Sequence, residues 1–212
     1  MMFKRIIHEL KEHAPFTLFG ALTGIILMFS LRNIPHEVAY NLFYVFHPLH
    51  IALSAIVTTS LYKMYLVNEK PGIKMFLKVI AIGYLGSVTI GTLSDSLIPF
   101  WGEMLLNMPH RHTHIGFIEK WWLINPVAII SILIACRKPF TKFPHAAHVL
   151  ISTWASLFHM LMAVDTTQAV SYFGIFIFLF IAVWLPCCFS DIVFPLLFIK
   201  DKSAFKGCCH DR

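Results

Sequence analysis

Long apolar runs separated by short polar clusters dominate the chain, and their lengths predict its elements. Six stretches, at about 15–31, 42–62, 75–100, 122–136, 146–164 and 171–199, are apolar for most of their length. A helix crosses the hydrocarbon core of a bilayer with about 20 mostly apolar residues. Runs such as "FGIFIFLFIAVWL" lack the in/out alternation of a membrane barrel strand. The pattern therefore predicts an all-α polytopic membrane protein, a bundle of about six transmembrane helices within residues 14–200. Residues 1–13 are charged and carry no small-residue cleavage site. Phe3, Ile6, Ile7 and Leu10 recur there at helical spacing, which reads either as a short amphipathic helix on the membrane surface or as a frayed tail. Residues 201–212 read as a second tail.

Composition agrees with the runs. The chain is 58% hydrophobic and 13% charged, with 20 Phe, whereas soluble domains are roughly 45–50% apolar and about a quarter charged. Charge then orients the helices. With six spans and the N-terminus inside, 14 of the 17 Lys and Arg fall on the inner side, and Arg32, Arg111 and Lys120 are the outer ones. Positive residues favour the cytoplasmic side, so both termini are expected to be cytoplasmic and the protein to lie in the cell (inner) membrane. The net charge of +6 is then a basic inner face suited to anionic lipids and needs no nucleic acid. Cys136, Cys187, Cys188, Cys208 and Cys209 all fall on the inner half, so free thiols are expected.

That threading gathers polar residues toward the outer side. His47 and His50 in "FHPLHIALSA" share one helix face at i, i+3, and Ser54 continues it. Asp95 lies near the outer end of the third run, His110, His112 and His114 lie in the loop "PHRHTH", and His159 and Asp165 end the fifth run. Ionisable groups within a membrane are costly and mark function by default. Imidazoles with a carboxylate form a ligand set for zinc, or for non-haem iron or manganese. The candidate ligands are His47, His50, Asp95, His110, His112, His114 and His159. A hydrogen-bonded polar cluster tying helix ends together is the alternative. His145 and His148 form a separate, inner set, with Asp191 and Arg137 nearby. The stripes His148–Ser152–Ser156–His159 and Gly83–Ser87–Gly91–Asp95 serve either close helix packing or a path across the membrane. A "CCH" tail at 208–210 offers too few ligands to stand alone. No phosphate loop, nucleophile elbow or dinucleotide fingerprint occurs.

The order His50, Asp95, His110–Arg111, Thr113–His114, His159 and Asp165 resembles a family of bacterial inner-membrane proteins, the membrane-bound metal-dependent hydrolases, over residues 47–165. The second Asp of that family's acidic motif is missing, and Ile115 stands where a Ser is expected. The resemblance implies a metal-dependent hydrolase, and the ligand types and outer-leaflet placement read above make the expected ion divalent, zinc first, and the expected substrate a lipid or lipid-linked molecule. Such an ion lowers the pKa of its water to about 7. Glu103 or Glu119, read as outer-loop residues, would be the general base, and Arg111 would steady an anionic headgroup. Two further expectations stand beside the hydrolase: a transporter or channel for a metal ion or proton, reaching His148 and Cys187, and an assembly factor with no chemistry.

Overall fold

The computed structural model describes residues 2–66, 72–139, 142–164, 172–189 and 194–198. Asp165, Asp191, Cys208, Cys209 and His210 lie outside them. All the described elements are helical: α1 (Met2–Leu31), α2 (His36–Tyr65), α3 (Ile73–Leu105), α4 (Gly116–Glu119), α5 (Trp121–Arg137), α6 (Lys142–Ala163), α7 (Tyr172–Cys188) and α8 (Phe194–Leu197). Within them, Ala14–Leu31, His36–Tyr65 and Ile73–Leu105 are long and apolar enough to cross a membrane; Trp121–Arg137, Ala147–Ala163 and Tyr172–Cys187 are apolar but shorter. The first helix is continuous from Met2, so the charged N-terminal segment and the first apolar run share one rod through Pro15.

Helix α2 is the axis of the bundle. It packs along α6, α5 and α3, while α1 lies against α7 and α6. It begins at His36, earlier than the apolar run, because Pro35 sets the extended entry and Glu37 suits the positive end of the helix. Large apolar side chains point away from the bundle: Phe16, Phe19, Ile26 and Phe29 on α1, Ile130 and Ile134 on α5, and Phe173 on α7. Water would penalise that surface and lipid would not. The interior holds polar groups beside its apolar core, with Ser54, Thr58, Ser87, Asp95, Glu103, Ser152, Ser156 and His159 all buried.

Helix α3 departs from regular geometry twice, in π-turns at Leu85–Thr89 and Leu93–Leu97. In the second, the Ile98 N–H donates to the Leu93 carbonyl five residues back. Pro99 supplies the reason. A proline offers no N–H to the carbonyl four residues before it and its ring collides with that carbonyl, here that of Asp95. Widening the turn relieves the collision, and such π-turns recur at functional sites. It also frees the Ser94 carbonyl, which accepts the Ser156 hydroxyl of α6 at 3.1 Å. Small residues let α3 approach α2: a Cβ on Gly91 would meet Ile51 at 3.0 Å, and one on Gly83 would collide with Thr59.

Candidate metal centre

The widened turn aims three consecutive side chains, Ser94, Asp95 and Ser96, into protein, and each is buried. Asp95 receives the most bonds. His47 Nδ1 and His50 Nδ1 lie 2.8 and 2.7 Å from its Oδ2, and Ser152 donates to Oδ1 at 2.8 Å. Ser94 pairs with Ser152 at 2.7 Å, and Ser96 donates to the carbonyl of His114 at 2.6 Å. One turn of α3 thus ties together α2, α6 and the loop before α4.

With Asp95 accepting at its Nδ1, the His50 ring presents Nε2 to its other side. There it meets His148 of α6 and Cys187 of α7. The His50 and His148 rings stack with centroids 5.7 Å apart and planes 7° from parallel. Cys187 Sγ lies 3.8 Å from His50 Nε2. One ligand atom from each of the three residues lies within 4.8 Å of the others, and all three residues are buried. Two imidazoles and a thiol are a donor set for zinc or copper. The Asp95–His50 bond is the carboxylate–imidazole arrangement that fixes a metal ligand's tautomer and raises its basicity. Among the described residues, this is the group of His, Cys, Asp and Glu placed to hold an ion. Prolines flank it: Pro48 lies between His47 and His50, and Pro186 precedes Cys187, each inside its helix. Each withholds one N–H from the helix ladder.

A second polar group lies nearer the loop between α3 and α4. His159 Nδ1 is 2.7 Å from Glu103 Oε1, with both residues buried. His114 Nδ1 is 3.2 Å from Glu119 Oε2, which also accepts the Tyr44 hydroxyl at 2.6 Å. Glu103 is not the loop residue the apolar run suggested; α3 continues to Leu105 and turns its carboxylate inward. Glu119 does lie near the surface, its side chain about one-third exposed. The other sequence-derived candidates separate. His110, Arg111 and His112 are exposed; His110 uses its backbone N–H on the Ala163 carbonyl, and His112 stacks on His114 at 5.8 Å. His148 and Cys187, read from sequence as inner-side residues, join His50 instead.

The loop histidine has a shifted proton affinity. Burial pushes His114 below its ordinary 6.5; the Glu119 bond opposes this and the neighbouring His159 adds to it. For Glu119, burial acts upward, but hydrogen bonds from Tyr44 and His114 outweigh it and hold the carboxyl below its ordinary 4.5. Both groups therefore bind protons less readily folded than unfolded. Their contributions are present above pH 6.5 for His114 and above 4.5 for Glu119, and are lost as pH falls below those values. Thermal unfolding in detergent should show stability declining from pH 7.5 to 5.5, and His114→Gln should reduce the slope. An unchanged slope in the variant would remove His114 as its source.

The chain matches no family model, no curated protein and no solved structure. The likeness to membrane-bound metal-dependent hydrolases thus rests on its motif order. Of those residues, His50, Asp95 and His159 are buried in the bundle, whereas His110 and Arg111 are not.

Proposed function

We propose that the protein is a six-span membrane protein that conducts a divalent transition-metal ion, zinc above others, along a buried polar column. Both termini face the cytoplasm of a cell whose inner membrane it occupies. The observation that carries this reading is the buried His50–His148–Cys187 group, its first histidine backed by Asp95. Its ligands leave no exposed face for a lipid headgroup, and an ion is small enough to reach them. The column supplies the route. Helices α2 and α6 are antiparallel and share the level of His50 and His148. From that level His159 lies 11 residues toward the loop end along α6, and Thr58 lies 8 residues the other way along α2. At about 1.5 Å per residue these are about 16 and about 12 Å, together close to the ~30 Å of a hydrocarbon core. Multi-site passage is what conduction requires, since an ion must bind and also leave.

The hydrolase remains a second reading, favoured by the Glu103–His159 pair near the loop end. A zinc ion bound there would supply Lewis acidity, with Glu103 as the proton acceptor. The two readings separate experimentally. Purified protein loaded with zinc should retain one ion per chain after desalting, and lipid vesicles containing it should take up zinc down its gradient. Protein that retains zinc but moves none would end the conduction reading; protein that retains none would end both.

A further inference from the structure

One aromatic ring stands among the polar groups of the column. Phe43 of α2 is fully buried and lies against three imidazoles, those of His47, His114 and His159. It stacks on His47, with centroids 5.0 Å apart and planes 8° from parallel. It meets His159 edge-on at 5.5 Å and lies 6.2 Å from His114. His114, His159 and Glu103 form one polar group on this ring; His47 leads by way of Asp95 to His50, Cys187 and His148. Two buried atoms near it, His47 Nε2 and His114 Nε2, have no hydrogen-bond partner among the described residues. Buried nitrogens of this kind ordinarily meet a protein group, a water or an ion. An apolar constriction between two polar stretches blocks ions by excluding the water they travel with.

The surroundings of Phe43 are latched. Tyr44 packs on it edge-on at 5.0 Å and donates its hydroxyl to Glu119. The Lys120 ammonium lies 4.0 Å from the centroid of the Tyr44 ring and 4.8 Å from that of Tyr40. Glu119 also holds His114, whose carbonyl is held by Ser96. Gly116 seats the segment against His47: a Cβ there would fall 2.7 Å from His47 Nε2. Residues 114–120 thus cover the ring from the loop end, through contacts that side-chain rotation and small backbone shifts can break.

We infer that Phe43 is the gate of the column and that the Tyr44–Glu119–His114 contacts are its latch. The inference rests on the conduction reading above for its purpose, but its geometry is testable apart from it. The test uses protein in which Cys136, Cys188, Cys208 and Cys209 are replaced by Ser, leaving Cys187 as the thiol. In lipid vesicles, a hydrophilic cationic methanethiosulfonate is added and the rate of Cys187 modification is read by mass spectrometry. Phe43→Ala should raise that rate roughly tenfold, equivalent to removing about 1.4 kcal/mol from a barrier. Tyr44→Phe, which loosens the latch without opening a cavity, should raise it less. The equilibrium affinity for zinc should stay as in the parent, because a gate alters rates. If Phe43→Ala does not fold, Phe43→Leu carries the comparison. Parent-like modification rates in a folded Phe43 variant and in Tyr44→Phe would overturn the gate, whatever zinc does. Protein that binds no zinc but shows the faster labelling would keep the gate and sink the conduction reading instead.

Discussion

Asp95→Ala should destabilise the folded protein by about 3–5 kcal/mol, since three buried donors would lose their acceptor at about 1–3 kcal/mol each. The size follows from what the carboxylate holds. Two imidazoles converge on Oδ2 and one hydroxyl on Oδ1, and all of these groups are buried in the bundle. Zinc affinity should fall as well, by about 10–100-fold, the usual effect of losing a group that orients a metal-ligating histidine. Asp95→Asn separates the two effects. It keeps the shape and one acceptor oxygen for Ser152, so stability should partly recover. Its amide cannot accept from both histidines, so zinc affinity should recover less. Thermal unfolding in detergent and zinc titration of the same samples give both quantities. A parent-like melting temperature for the alanine variant would remove Asp95 from the centre of the network.

The second large effect concerns the ligands. Structural zinc sites with four ligands are worth roughly 10–16 kcal/mol in apparent binding, so one ligand accounts for about 3 kcal/mol, or about two orders of magnitude in affinity. His148→Ala and Cys187→Ala should each weaken zinc binding by that much and abolish zinc uptake into vesicles. Cys187→His keeps three donors and should restore most of the binding. Cobalt loading adds an independent reading, since thiolate-to-cobalt charge-transfer absorption should appear in the parent and vanish in both Cys187 variants. The hydrolase reading predicts otherwise: its Glu103–His159 pair does not involve Cys187, so hydrolysis would survive these changes. Retention of full zinc affinity by His148→Ala would remove the proposed centre.

Much of this was legible in the chain because lipid imposes one simple rule, that a crossing helix is long and apolar. Helices α2 and α3 and the pairing of His47, His50 and Asp95 as neighbours could be read from run length and i, i+3 spacing. The partners of His50 could not. Depth along a helix was inferred from where apolar runs end, and an error of a few residues moves a side chain by several ångströms. His148 sits about 16 Å along α6 from His159, so the apolar run places it with a separate inner set, while it stacks on His50. Cys187 joins the same two histidines, a contact that the run length of its helix does not encode. Glu103 was read as a loop residue because the apolar run fades before it, whereas the helix continues and His159 gives its carboxylate a buried partner. The loop histidines pulled the other way. His110 and His112 have the right chemistry beside His114, but both are exposed, His112 stacking on His114, and it is His114 that Glu119 and Ser96 hold. Phe43, one of 20 phenylalanines, carries no signal in the sequence at all.

Helix α3 also makes a claim about spacing. Between Leu93 and Leu97 it accommodates one residue more than a regular turn. Deleting Leu93 or Leu97 would remove the widened turn, leave the flanking helix nearly in phase, and change the angular spacing of the three residues between them. Ser94, Asp95 and Ser96 would then face different neighbours, although no side chain in the triplet had been altered. The chemistry of this region is thus phased by chain length as much as by residue identity, so a frame-preserving loss of one codon should be harsher than most point changes nearby.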